Sequence, residues 1–466
     1  MFNTYSEALT WIYSFADFER GVGFRADTPF DQGIERTTNL LAYFNNPHTT
    51  VPTIHIAGTK GKGSVCALVA NATKVSGLRT GLYTQPHLHS FRERIQIDGR
   101  PIGEKDFVDL AREINRVLNS KHLLTSKAGP LTTFELCTAM ALIWFQHQDV
   151  DLAVIEVGLG GRLDATNVVC PLVSAVTSIA LEHTQLLGHS LPAIAREKAG
   201  IAKPNTRMLI TRQHPAVMAA IRSVARSQGA SVQDIGTLET LPGGTKWRDG
   251  RATTIVRAPC SDSHFTLGLA GRHQAQNAGL AYAICRELSK TYAGITTRAI
   301  HDGFEAIRWP ARLELIESCP TVVVDGAHTV KSIEAGTMTL QQDLGLDGGP
   351  VIFGALDDKP VDQMVAALQS YATELIIFES EHPRTAAASD MQRAAHGMKT
   401  TIVKNAAESL RLAKTSVRSG QGVLATGSLA VAADVRAASG LATAIDPQNL
   451  WAQSRRLRSS LPEGAG

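Results

Sequence analysis

The chain has 466 residues, 44% hydrophobic and 19% charged, with a net charge of +3. That length exceeds one ordinary core, so two domains are expected. The near-neutral balance argues against a polyelectrolyte surface built for nucleic acid, and no apolar run is long enough to span a bilayer.

The start, MFNTYSEALTWIYSF, has neither a basic leader segment nor a small-residue cleavage site. It reads as an amphipathic helix with Tyr5, Leu9, Ile12 and Phe15 on one side. Short β-rich runs then alternate with helical patterns: TIHIAG, TGLYTQ, DLAVIEVG, LVSAVTSI and RMLIT. Such alternation predicts a mostly parallel sheet with helices on its faces. Residues 232–268 carry DGRATTIVRAP and SHFTLGLAG and predict a small antiparallel patch. Helices are expected over 273–288 and 295–306, and Pro310 should break any helix that reaches it. Past it, TVVVDG, VIFGAL, ELIIFES, TTIVK and GVLATG restart the alternation, which predicts a Rossmann-like doubly wound unit. The expected fold class is therefore α/β with two domains, 1–307 and 308–466. The tail after residue 447 is polar and basic and is expected to fray. Six scattered cysteines with no CxxC pair fit reduced thiols in a cytoplasm better than disulfides or a zinc site.

HIAGTKGKGSVCAL, residues 55–68, joins the first of these strands to a helical pattern. The context suits a phosphate loop: glycines let main-chain N–H groups turn toward an anion, and the helix start adds partial positive charge. The spacing is short, since only Thr59 and Lys60 separate Gly58 from Gly61, where the familiar loop has four residues. Lys62 is placed to neutralise phosphate oxygens. The competing reading is a glycine-rich turn with solvated lysines.

DLAVIEVGLGGRLDATN ends an apolar strand in Glu156. A carboxylate at the carboxyl end of a parallel strand beside a phosphate loop is where a nucleotide's Mg²⁺ ligand belongs. Alone it would be an ordinary surface charge. His183 follows the end of another strand, and Lys198 sits in the next helical pattern. Lone residues of these types are usually structural or solvated, and only their position raises them.

The strings GTKGKGS, LTTFE, EVGLGGRLDATN, TSIALEHTQLLG, REKAGI, HQAQNA, WPARLE, DGAHT, FGALDDKP and ATGSLAVAADVR occur in this order. Together they closely resemble the folylpolyglutamate synthase/dihydrofolate synthase family of the Mur ligase superfamily, from about residue 30 to 436. The resemblance implies an ATP-dependent amide ligase: ATP phosphorylates a folate or pteroate carboxylate, and the amine of L-glutamate attacks the acyl phosphate. It implies that Gly58, Thr59, Gly61, Lys62, Gly63 and Ser64 hold ATP phosphates, with Asn277, Arg312 and Asp325 as further nucleotide contacts. Glu156 and His183 match Mg²⁺ ligands, and Lys198 matches a lysine that is carbamylated, a change that makes it anionic and able to support a metal. Lys62, Lys198 and His328 are the expected catalytic residues, His328 positioning the γ-phosphate or the incoming amine. Thr133, Phe134, Glu135, Leu163, Asp164 and Ala165 are expected to line the pterin site, an aromatic ring packing on it and a carboxylate accepting its N–H donors.

Two departures stand out. Gln85 in TQPHL occupies the place of a serine that binds the ATP-linked Mg²⁺, and its longer arm must fold back or reach through water. Glu182-His183 replaces an Asp-His pair. The implied partners are ATP, Mg²⁺, L-glutamate and a folate or pteroate, for a cytoplasmic monomer without nucleic-acid or membrane partners. Two rivals remain open at this point: another Mur-type amino-acid ligase, and a nucleotide-binding module that has lost catalysis.

Overall fold

The computed structural model describes residues 2–17, 32–121, 129–236, 240–248, 250–257, 264–442 and 444–447. The tail after 447 and Cys260 lie outside them. Eight strands make the first sheet: β1 (Thr53–Ala57), β2 (Thr80–Tyr83), β3 (Ile95–Ile97), β4 (Arg100–Pro101), β5 (Leu152–Glu156), β6 (Val173–Val176), β7 (Arg207–Ile210) and β8 (Ser231–Asp234). Their order is β4-β3-β2-β5-β1-β6-β7-β8. All pairs are parallel except the β2–β3–β4 edge.

Both faces of this sheet are covered, which is why its central strands read as unbroken apolar runs. Ile54, Ile56, Leu152 and Val154 face the helices Lys62–Val75 and Arg272–Leu288, while Ala153 and Ile155 face the cluster built with Thr133–His147. The first helix, Tyr5–Ile12, buries Leu9 and Ile12, and Phe15 packs against the same core just beyond the helix end.

The antiparallel patch is β9 (Thr240–Arg248), β10 (Arg251–Arg257) and β11 (His264–Leu267). It starts later than the sequence suggested. Residues 231–234 instead pair parallel to β7 and extend the first sheet. Val256, Phe265 and Leu267 join the first core, whereas Trp247 and Ala252 pack into the core of the second sheet. The patch therefore bridges the two.

The second sheet holds β12 (Glu314–Ser318), β13 (Thr321–Val324), β14 (Gly349–Phe353), β15 (Ala372–Ile377), β16 (Thr400–Ile402) and β17 (Val423–Thr426), in the order β12-β13-β17-β14-β15-β16. The five expected strands are parallel. The sixth, β12, runs antiparallel to β13 at the edge and carries a register shift between Leu315 and Glu317. That shift breaks the two-residue alternation by which a half-buried edge strand announces itself in sequence.

Candidate functional site

The phosphate-loop segment joins the carboxyl end of β1 to the helix Lys62–Val75. Gly58 has φ +145°, and a Cβ there would stand 1.7 Å from Thr177 Oγ1. Gly61 has φ +89°, and a Cβ there would stand 2.2 Å from Asn277 Oδ1. Only glycine meets both demands, conformation and space. Thr59 pins the loop to the chain after β6: its N–H donates to Ser178 O at 2.8 Å, and its hydroxyl accepts from Ala180 N at 3.1 Å. Lys62, Gly63 and the buried Ser64 form the first helical turn, whose N–H groups have no helical partner and point outward. Asn277, from the helix Arg272–Leu288, lies against this loop.

Glu156 ends β5 directly beside Ile56 of β1, so its carboxylate stands next to the loop. A Cβ on Gly63 would be 3.4 Å from Glu156 Oε2. Gln85 folds back onto this residue. Its main-chain N–H donates to Glu156 Oε2 and its side-chain Nε2 donates to the Glu156 carbonyl, both at 3.2 Å. Gln85 Oε1 is left buried with no hydrogen-bond partner.

His183 holds φ +50°, ψ +41° at the start of the short helix Thr184–Leu187. A left-handed histidine is uncommon, and such strain concentrates at functional sites. Burial pushes its imidazole below the ordinary range, helped by the positive charges of Lys359, Lys198 and Lys62. Lys198 is buried in the helix Leu191–Ala199, and burial plus the Lys62 charge push its ammonium down to about 7. Among the described residues no three His, Cys, Asp or Glu side chains converge as a metal site.

The second sheet contributes the other wall. Arg312 lies between Ala311 and Leu313, both with positive φ (55° and 47°), and its guanidinium sits 2.7 Å from where a Gly326 Cβ would be. Asp325 is buried just after β13 and accepts from Ala327 N at 3.0 Å. Burial raises its carboxyl to about 6, with Arg312 opposing. Two residues that the sequence did not single out complete this region. Trp309 lays its ring 3.4 Å from the Gly63 Cβ position. Lys60 Nζ donates to Glu182 Oε1 at 2.8 Å and lies 2.9 Å from His328 Nε2. Burial works against the Glu182 charge, but the ion pair with Lys60 helps to hold its carboxyl well below the usual carboxylate range. The sequence carried a weak signal for Lys60, a second lysine inside the loop, but none for the direction it points.

The six expected pterin-site residues do cluster, but most of their polar atoms are already engaged. Glu135 takes a two-pronged contact from Arg36, Nε to Oε2 at 2.8 Å and a terminal nitrogen to Oε1 at 2.6 Å, and also accepts from Thr132 N. Thr133 Oγ1 bonds the carbonyls of Ile12 and Phe15. Asp164 accepts from Leu159 N, Thr166 N and the Thr166 hydroxyl. Both carboxylates therefore spend much of their accepting capacity within the fold, Glu135 on Arg36 and Thr132 and Asp164 on Leu159 and Thr166. Ala165 is buried. Phe134, packed against Gly158, and Leu163 remain partly accessible at this wall.

Residues 311–429 match the family model "Mur ligase, glutamate ligase domain". The chain is 31% identical over 444 residues to the dihydrofolate synthase/folylpolyglutamate synthase of Bacillus subtilis, covering 94% of this chain and 99% of that protein. Among solved structures, folylpolyglutamate synthase of Mycobacterium tuberculosis complexed with ADP superposes with a TM-score of 0.81 at 30% identity, over 94% of this chain and 98% of that one. An FPGS–AMPPCP–folate complex gives 0.77 at 30% identity, over 93% and 99%. The chain belongs to the dihydrofolate synthase/folylpolyglutamate synthase family of ATP-dependent, amide-forming ligases.

Proposed function

We propose that the cleft between the two sheets binds ATP and a folate-type carboxylate, forms the acyl phosphate, and joins L-glutamate to it. The observation that carries this reading is the meeting of the phosphate loop, Glu156 and Gln85 with groups from the other wall, where His328 lies 2.9 Å from Lys60 of the loop. We place the domain boundary near residue 308, just before Trp309.

A carboxylate and a triphosphate repel, so the chemistry needs concentrated positive charge before phosphoryl transfer. Lys62 and the N–H groups of the first helical turn provide it in this reading. Asn277, Arg312 and Asp325 hold the nucleotide from both walls. Mg²⁺ fits the donors present: Gln85 Oε1, buried without a partner, and the Glu156 carboxylate are hard oxygens, and this ion normally fills its remaining positions with phosphates and water. When bound it neutralises charge developing on the phosphates. His183 and a carbamylated Lys198 would serve a second metal, as carbamylation requires a neutral amine and burial favours that form of Lys198. Phe134 and Leu163 offer the pterin an apolar wall. His328, with its imidazole held below its ordinary range chiefly by burial, is positioned in this reading to orient the γ-phosphate or the incoming amine.

The rival cell-wall ligase loses ground because the relatives that span nearly the whole chain are folate enzymes. The inactive-module reading loses its main support because Gln85 keeps an oxygen donor beside Glu156. A cytoplasmic monomer remains our proposal; among the described residues no helix is long and apolar enough to cross a membrane. The test is ADP release with dihydropteroate or tetrahydrofolate as acceptor, each with and without L-glutamate. Release that needs acceptor and glutamate together supports the reading, and the responding acceptor separates the two activities. Stimulation only by a UDP-muramyl substrate overturns it.

A further inference from the structure

Lys60 joins three segments that are far apart in the chain. Its backbone is fixed first: Lys60 N donates to Ser178 O at 3.4 Å, and the Ser178 hydroxyl donates to Lys60 O at 3.2 Å. From this anchored start Nζ meets Glu182 Oε1, in the segment after β6 of the same wall, at 2.8 Å, and His328 Nε2, on the other wall, at 2.9 Å. His328 Nδ1 lies 2.9 Å from the Gly326 carbonyl. A carbonyl only accepts, so Nδ1 carries the hydrogen and the neutral ring presents a lone pair at Nε2 to the ammonium. Glu182 Oε1 is 3.7 Å from the same Nε2, which closes a triangle.

The turn carrying His328 moves as one piece with the second sheet. Asp325 N donates to Ala425 O at 2.9 Å, and Gly427 N donates to Ala327 O at 3.0 Å, so the chain leading into His328 is bonded twice to β17 and its end. Any rotation of the second sheet away from the phosphate loop must therefore break the Lys60–His328 bond. Residue type matters here. A lysine reaches both partners with one compact charge and three rotatable donors, whereas an apolar side chain would leave the Glu182 charge and the His328 lone pair unmatched.

We infer that Lys60 is a positioning residue that clamps His328 and Glu182 together and so keeps the two walls closed over the acyl phosphate. The inference rests on the reaction proposed above. In the productive step the glutamate nitrogen bonds to the acyl carbon, the acyl C–O bond to phosphate breaks, and phosphate leaves with that oxygen and takes up the proton that the nitrogen gives up. In the leak, water bonds to the acyl carbon instead, the same C–O bond breaks, and the original carboxylate and phosphate return. The clamp favours the first route by aligning His328 and by excluding water.

The experiment counts ADP formed per amide formed, with a folate-type acceptor, in the wild type, Lys60→Met, Lys60→Arg and Glu182→Gln. The wild type should stay near one. Lys60→Met should raise the ratio severalfold and raise the glutamate KM at least fivefold, with the ATP KM within about twofold of wild type. Lys60→Arg should restore much of the coupling, and Glu182→Gln, which removes one arm while keeping shape, should leak in the same direction. A ratio that stays at one in both Lys60→Met and Glu182→Gln overturns the inference. So does a Lys60→Met variant that is impaired only in ATP KM, which would make Lys60 a phosphate contact. A wild-type chain that releases no ADP with any folate-type acceptor overturns the functional reading itself, and the clamp with it.

Discussion

Gln85 and Glu156 hold each other by two hydrogen bonds of 3.2 Å, and this arrangement turns Gln85 Oε1 into a buried acceptor with nothing to accept. A buried polar atom without a partner is costly, so it signals a missing donor or ion. Replacing Gln85 by Leu should raise the Mg²⁺ concentration needed for half-maximal activity at least tenfold. Gln85→Ser should lower that requirement or leave it unchanged. Calorimetric titration of nucleotide with and without Mg²⁺ checks the same point without turnover. Equal Mg²⁺ dependence in wild type and Gln85→Leu would remove Gln85 from the metal shell.

Lys62 opens the helix that follows the phosphate loop. Lys62→Ala should lower kcat by about 10²–10³-fold or more, the scale expected when a preorganised charge is removed from a transition state. Steady-state kinetics decide it, and near-normal turnover would displace the site.

Lys198 is held down to about 7 chiefly by burial. Below that pH the ammonium predominates and cannot react with CO₂; above it the neutral amine can. Activation by added bicarbonate should therefore grow as pH rises through about 7 and fade below it. Lys198→Ala should lose most activity and recover part of it with a short carboxylate such as acetate. A variant that acetate leaves unchanged argues against an anionic role at this position.

Arg36 and Glu135 form a buried ion pair, with side chains 3% and 6% exposed. Removing one partner strands the other charge, so Arg36→Met should destabilise the fold by about 3–5 kcal/mol. The double variant Arg36→Met/Glu135→Leu should regain much of that loss. Thermal unfolding of the three variants shows it, and additive losses would mean that the pair is not coupled.

His55 lies on the central strand β1, fully buried, with Nε2 2.8 Å from Thr166 Oγ1 and Nδ1 unpartnered. Burial, with Lys203 adding to it, pushes its imidazole down to about 3. The sign follows directly. Above about 6.5 neither the folded nor the unfolded chain protonates this ring, so its contribution is fully present. As pH falls from 6.5 toward 3 only the unfolded chain takes the proton, and stability drops by up to a few kcal/mol. The Tm gap between wild type and His55→Gln should shrink steadily as pH falls across that window. A gap independent of pH would contradict the assignment.

The sequence alone determined the alternation of strand and helix, because strands covered on both faces must be apolar throughout. It also carried the phosphate loop, since Gly58 and Gly61 are required by local backbone conformation. Ordered motifs carried the family. Weak local patterns hid the rest: β12 is an edge strand with a register shift, and residues 231–234 form a short outer strand whose partner lies elsewhere in the chain. Only the tertiary structure decided which polar atoms are free. Glu135 and Asp164 read only as carboxylates in their motifs, and folding shows Arg36 bonded to the first and Thr166 to the second. Lys60 had no assigned partner in the sequence, and folding placed it between Glu182 and His328, 122 and 268 residues away. Residue type and spacing record what a side chain can do. Where its hydrogen-bonding capacity is spent depends on contacts between distant segments, and those exist only in the folded chain.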